Sequence, residues 1–139
     1  MLEPKKLRRR KQQRNRGAFY GKAQRGYQLA FGSVGLKTQE TGELTARQIE
    51  AARRAMTHCV ARGGKIWIRV FPHTPVSRKA AEVPMGSGKG SLEYFATIAK
   101  AGTILFEMDG IGEDVARHAL RLAGSKLPLK TKVITRASF

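Results

Sequence analysis

The chain has 139 residues, enough for one domain, and carries 27 Lys and Arg against 10 Asp and Glu, a formal net charge of +17. Self-repulsion at that charge opposes compaction, so a polyanionic partner is expected, yet a hydrophobic fraction of 41% is too high for a wholly disordered polycation. Apolar runs are only a few residues long, none follows the basic start, and Cys59 stands alone, so no membrane span, secretory signal or disulfide framework is expected.

Residues 1–25 hold ten cations, Lys5, Lys6, Arg8, Arg9, Arg10, Lys11, Arg14, Arg16, Lys22 and Arg25, against one acid, Glu3. Ten minus one leaves +9 of the chain's +17 in under a fifth of its length. No apolar period runs through Leu7, Ala18, Phe19 and Tyr20. The segment reads as a solvated tail or as an arm that orders on RNA, and the concentration of charge favours the arm. Phe19, Tyr20 and Tyr27 lie among Arg16, Lys22 and Arg25. Such rings suit stacking on bases or anchoring of the arm to the core.

Residues 26–139 read as one domain. "YQLAFGSVGLKT" is β-prone and interrupted at Gly32 and Gly35, which predicts two short strands or one bulged strand. "QETGEL" predicts a turn at Gly42. "LTARQIEAARRAMTHCVARGG" predicts a helix. Thr45 and Gln48 have capping-box spacing, Ile49, Ala52, Met56, Cys59 and Val60 form one apolar stripe, and Gly63-Gly64 supplies a stop. Arg47, Arg53, Arg54 and Arg62 lie on its other faces. Glu50 can pair with Arg54 at i,i+4, which leaves a surplus of arginine for solvent or RNA phosphate.

"KIWIRVF" alternates, with Ile66, Ile68 and Val70 on one face and Lys65, Trp67, Arg69 and Phe71 on the other. The second face suits RNA contact, and Trp67 equally suits packing beneath a neighbouring loop. Pro72 and Pro75 are expected to close the strand. Residues 73–91 lack an apolar period and read as one long irregular loop.

That loop contains "VPMGSGKGSL", which superficially resembles a nucleotide-binding loop. A Walker-type loop requires Gly, four residues, then Gly-Lys and a hydroxyl residue. Counting back from Gly88-Lys89, the first glycine position is Val83, and the hydroxyl position is Gly90. The G-x-G-x-x-G pattern fails as well, at Ser91. What remains is a flexible basic loop, Met85, Gly86, Ser87, Gly88, Lys89 and Gly90.

"LEYFATIAKAGTILFEMDG" predicts two strands turning at Gly102. Residues 113–127 predict a helix with Glu113 and Asp114 in its first turn and Val115, Ala116, Ala119, Leu122 and Ala123 as its apolar face. "LKTKVITR" predicts a last strand with Lys130, Lys132, Ile134 and Arg136 on one side. The sum is α+β: two helices packed on a mostly antiparallel sheet. His58, His73 and His118 lie on different elements, and neighbouring His58 and Cys59 point about 100° apart on a helix. Glu107 and Asp109 share a strand face and could form a carboxylate pair, although Asp109-Gly110 reads more as a turn. No catalytic, metal or cofactor site is expected.

Taken together, "LTARQIEAARRAMT", "GKIWIRVFP", "MGSGKG", "LFEMDG" and "KLPLKT", in this order and spacing, resemble bacterial-type large-subunit ribosomal protein sixteen, including its organellar relatives. The likeness runs from "PKK" in the arm to "KLPLKTKVITR". It implies a structural constituent of the large ribosomal subunit that binds large-subunit rRNA beside A-site tRNA, among neighbouring ribosomal proteins, without catalysis and without membrane contact. It implies rRNA contact by Arg47, Arg53 and Arg54, and a Met85–Gly90 loop extended toward the peptidyl-transferase region. A cytoplasmic or an organellar ribosome fits equally. Family members commonly carry arginine before the Met-Gly of the loop, hydroxylated in some bacteria; here Pro84 stands there, so that modification has no acceptor. A free nucleic-acid chaperone or architectural binder is the competing class.

Overall fold

A computed structural model describes residues 1–14, 16–61 and 63–136 of the protein. Its strands run β1 (Val34–Thr38), β2 (Gly42–Thr45), β3 (Lys65–Ile68), β4 (Thr74–Arg78), β5 (Ser91–Ala99), β6 (Ile104–Asp109) and β7 (Thr131–Thr135). Helix α1 spans Ala46–Val60 and α2 spans Glu113–Ser125. The strands form two antiparallel sheets, ordered β3-β6-β1-β7 and β2-β5-β4. The expected α+β class therefore holds, with two sheets in place of one.

Helix α1 begins as its sequence dictates. The Thr45 hydroxyl accepts from the Gln48 amide at 3.2 Å, and the Gln48 side chain accepts from the Thr45 amide at 2.9 Å. Two orphan donors are thereby satisfied. Its end differs from expectation, because the chain leaves the helix at Ala61, which takes the left-handed conformation two residues before Gly63.

Ile49, Ala52 and Met56 from α1 meet Ala116, Ala119, Leu120 and Ala123 from α2, together with Leu36, Phe106 and Met108 from the four-stranded sheet. Full burial of a side chain such as Leu36 or Phe106 contributes about 1.5–3 kcal/mol. Alanines on both helices let the two backbones approach closely. The buried stripe of α2 is rotated from the expected one: Leu120 is buried, whereas Val115 and Leu122 are exposed. Periodicity allowed either leucine, and packing against α1 selected Leu120.

Four strand expectations need correction. The residues before Ser33 form no strand; a single strand, β1, begins at Val34, and its register against β6 shifts between Leu36 and Lys37. Gly42 opens strand β2 instead of making a turn. Strand β3 ends at Ile68, short of Phe71. Part of the expected loop 73–91 is strand β4, whose Pro75 sits on the sheet edge, where a missing amide hydrogen costs no ladder bond. The turn at Gly102 is present at φ +97°, but β5 and β6 on either side of it belong to different sheets.

Behind the larger sheet, residues 26–33 cross the face opposite the helices. Leu29 joins Ile104 and Ile134 in a second small core. A Cβ at Gly35 would lie 2.3 Å from the Leu29 side chain, and one at Gly32 only 2.5 Å from the Met108 carbonyl oxygen. These two glycines admit the crossing segment.

Candidate nucleic-acid interface

The arm lies along the domain. Leu2 packs against the main core. Arg14 donates to Glu43 of β2 at 3.0 Å and to the Tyr94 hydroxyl of β5 at 3.2 Å. Farther on, the Ala23 amide donates to the Ala101 carbonyl at 2.9 Å, and the Ile104 amide to the Gly26 carbonyl at 2.8 Å. The cations between these tethers stay outside. Lys5, Lys6, Arg8, Arg9, Arg10, Lys11, Lys22 and Arg25 are exposed and make no ion pair among the described residues. The Arg16 side chain and Arg62 lie outside the described residues.

On α1, the expected Glu50–Arg54 pair forms at 3.2 Å, and Glu50 also takes Arg53 at 2.6 Å. The Arg53 hydrogen bond holds the Glu50 carboxyl down at about 2, with Arg54 assisting and partial burial opposing. Arg47 is exposed and unpaired among the described residues. Arg47 and Arg54 line an open groove between the helices with His58, His118 and Lys126, over Ala51, Ala55 and Leu122.

On the mixed face of β3, Trp67 packs beneath a neighbouring loop, residues 26–33, which is one of the two readings expected of it. Trp67 stacks on Phe31, with ring centroids 5.9 Å apart and planes 17° from parallel. The Lys65 ammonium lies 5.3 Å from the Trp67 ring centre, and the Arg69 guanidinium 5.4 Å from that of Phe31. Arg69 also donates to Glu107 Oε2 at 2.6 Å and to the Gln28 carbonyl at 3.2 Å. Glu107 is fully buried, and its other oxygen accepts from the amides of Ala30, Phe31 and Gly32 at 2.9, 3.0 and 3.1 Å. Burial pushes its carboxyl up, but Arg69 and these three amides outweigh burial and hold it below its ordinary value. Glu107 and Asp109 form no pair: Asp109 is exposed and accepts from the Ser33 hydroxyl and the Gly110 amide. The role of Glu107 was not recognised from sequence, although a lone acid inside the apolar run "ILFEM" was a visible signal.

The glycine loop is held from two sides. Lys79 donates to the Gly86 carbonyl, and Lys89 to the Gln12 carbonyl of the arm. Lys11 in turn donates to the Lys89 carbonyl at 2.9 Å. Gly86, Ser87 and Gly88 all have positive φ, and Met85 is 95% exposed at the tip. A nucleotide-binding loop leads from a strand into a helix N-terminus, where amides converge on phosphate. Here the loop joins antiparallel strands β4 and β5, and no helix follows it.

All but the first three residues of the arm, together with α1 and the loop, fall within one stretch matched by a known family, described as ribosomal protein L16p/L10e, over residues 4–134. The chain belongs to the ribosomal protein L16p/L10e family. It is accordingly a structural protein of the large ribosomal subunit. Among the described residues, five glutamates pair with six arginines, Arg14, Arg53, Arg54, Arg69, Arg78 and Arg117. Most Lys and Arg of this L16p/L10e chain, those of the arm above all, have no acidic partner among the described residues. No described helix is long and apolar enough to cross a membrane.

Proposed function

We propose that the chain binds large-subunit ribosomal RNA through its arm and the arginine face of α1, and that Met85–Gly90 reaches toward A-site tRNA. The carrying observation is the exposed, unpaired row from Lys5 to Lys11, which meets the glycine loop at Lys89. Arm and loop therefore form one basic surface. A phosphate backbone satisfies such a surface without base specificity, and the charge makes binding steeply salt-dependent. Lys65 and Arg69 extend the surface to the edge of the four-stranded sheet. Neighbouring subunit proteins are the further partners, in a cytoplasmic or organellar ribosome.

Sedimentation of tagged chain with ribosomes through a sucrose gradient at raised salt tests this. The chain should stay with large subunits and crosslink to their RNA through the arm and loop. Recovery at the top of the gradient, with RNA binding seen only at low salt, would mark a free nucleic-acid binder instead.

A further inference from the structure

We propose that Phe31, backed by Trp67, is a stacking platform for an unpaired nucleobase of RNA; this deepens, and rests on, the reading of the chain as a ribosomal-RNA binder. Phe31 is 55% exposed, although the backbone around it is held by side-chain hydrogen bonds. The amides of residues 30–32 go to Glu107, and Arg136 donates to the carbonyls of Gly32 and Ala30 at 3.1 and 3.4 Å. The fastened segment presents the ring to solvent.

Trp67, in β3, and Arg69, one residue past its end, both lie against the Phe31 ring. Phe31 nevertheless stays more than half exposed, so ring surface remains for another flat group. Lys65, Arg69 and Arg136 border the pair, and the one nearby exposed acid, Asp109, is engaged by Ser33 and Gly110. An aromatic ring ringed by cations suits a base with its phosphates and repels a cationic peptide. Stacking is indifferent to base identity and needs an unstacked base.

Trp67 is the only tryptophan in the chain, so its emission reports this site alone. The protein is titrated with a single-stranded RNA oligonucleotide and with a blunt-ended RNA duplex of equal charge. Trp67 emission should change with the single strand and not with the duplex. Phe31→Leu should weaken single-strand binding by roughly 5- to 150-fold, the range for loss of one stacked base, with the salt slope unchanged. Phe31→Tyr should retain affinity, which separates the ring's role from general folding. Equal single-strand affinity of Phe31→Leu and wild type, or binding without any emission change, would overturn the platform and leave the ribosomal reading standing. Failure of the wild-type chain to bind any RNA would sink both.

Discussion

Replacing Glu107 should be strongly destabilising. Truncation in Glu107→Ala removes the partner of Arg69, only 19% exposed, and orphans the amides of Ala30, Phe31 and Gly32. Breaking a buried ion pair by deleting one partner costs about 3–5 kcal/mol. With an unfolding entropy of about 2.1 cal/mol/K per residue, that lowers Tm by roughly 10–17 °C for a chain of this length. Glu107→Gln keeps an acceptor for the amides but loses the charge opposite Arg69, so it should fall between. The effect must also depend on pH with a definite sign. The folded carboxyl titrates below its ordinary value of 4.5. Its stabilisation is therefore complete above pH 4.5 and is lost as pH falls through the folded value. Thermal unfolding followed by circular dichroism at neutral and acid pH measures both features. The Tm gap between wild type and Glu107→Gln should narrow on acidification. A Glu107→Ala loss below about 3 °C, or a gap independent of pH, would refute the account.

Gly32→Ala should destabilise by about 1–3 kcal/mol, as overpacking does, because the new Cβ meets the Met108 backbone; chemical denaturation measures it. Glu50→Gln should cost less than about 1 kcal/mol, as for surface pairs, and should raise RNA affinity by releasing Arg53 and Arg54; the wild-type contribution fades between pH 4.5 and about 2. Deleting residues 1–14 should lower the log–log salt slope of RNA binding by ~0.7–0.9 for each phosphate the arm no longer neutralises, and an unchanged slope would remove the arm from the interface. Lys89→Ala should alter stability by no more than about 0.5 kcal/mol while disturbing tRNA accommodation in reconstituted ribosomes. Calorimetry with ATP, GTP and Mg²⁺ should show no binding by the wild type.

Features governed by near neighbours were legible in the sequence. Thr45 and Gln48 announce the start of α1 because both partners of the capping box lie within one turn. The Lys65–Ile68 alternation, the acid-rich entry to α2 and the basic surplus of the arm are equally local. Features that depend on a distant partner were not legible. Thr74–Arg78 becomes a strand only because β5, more than a dozen residues on, offers its edge, and a proline-bearing segment shows no such intent alone. Tyr27–Phe31 has the composition of a strand, yet Glu107, more than 70 residues away, takes its last amides and holds it off the ladder. The same carboxylate turns Arg69 inward toward Phe31, so a cation that reads as a free phosphate ligand is partly committed to the fold. Charge and helical period are carried by the sequence itself. Which acid is buried, and which ring it leaves facing solvent, was decided when the crossing segment closed over the back of the sheet, where a buried carboxylate must find every partner it needs.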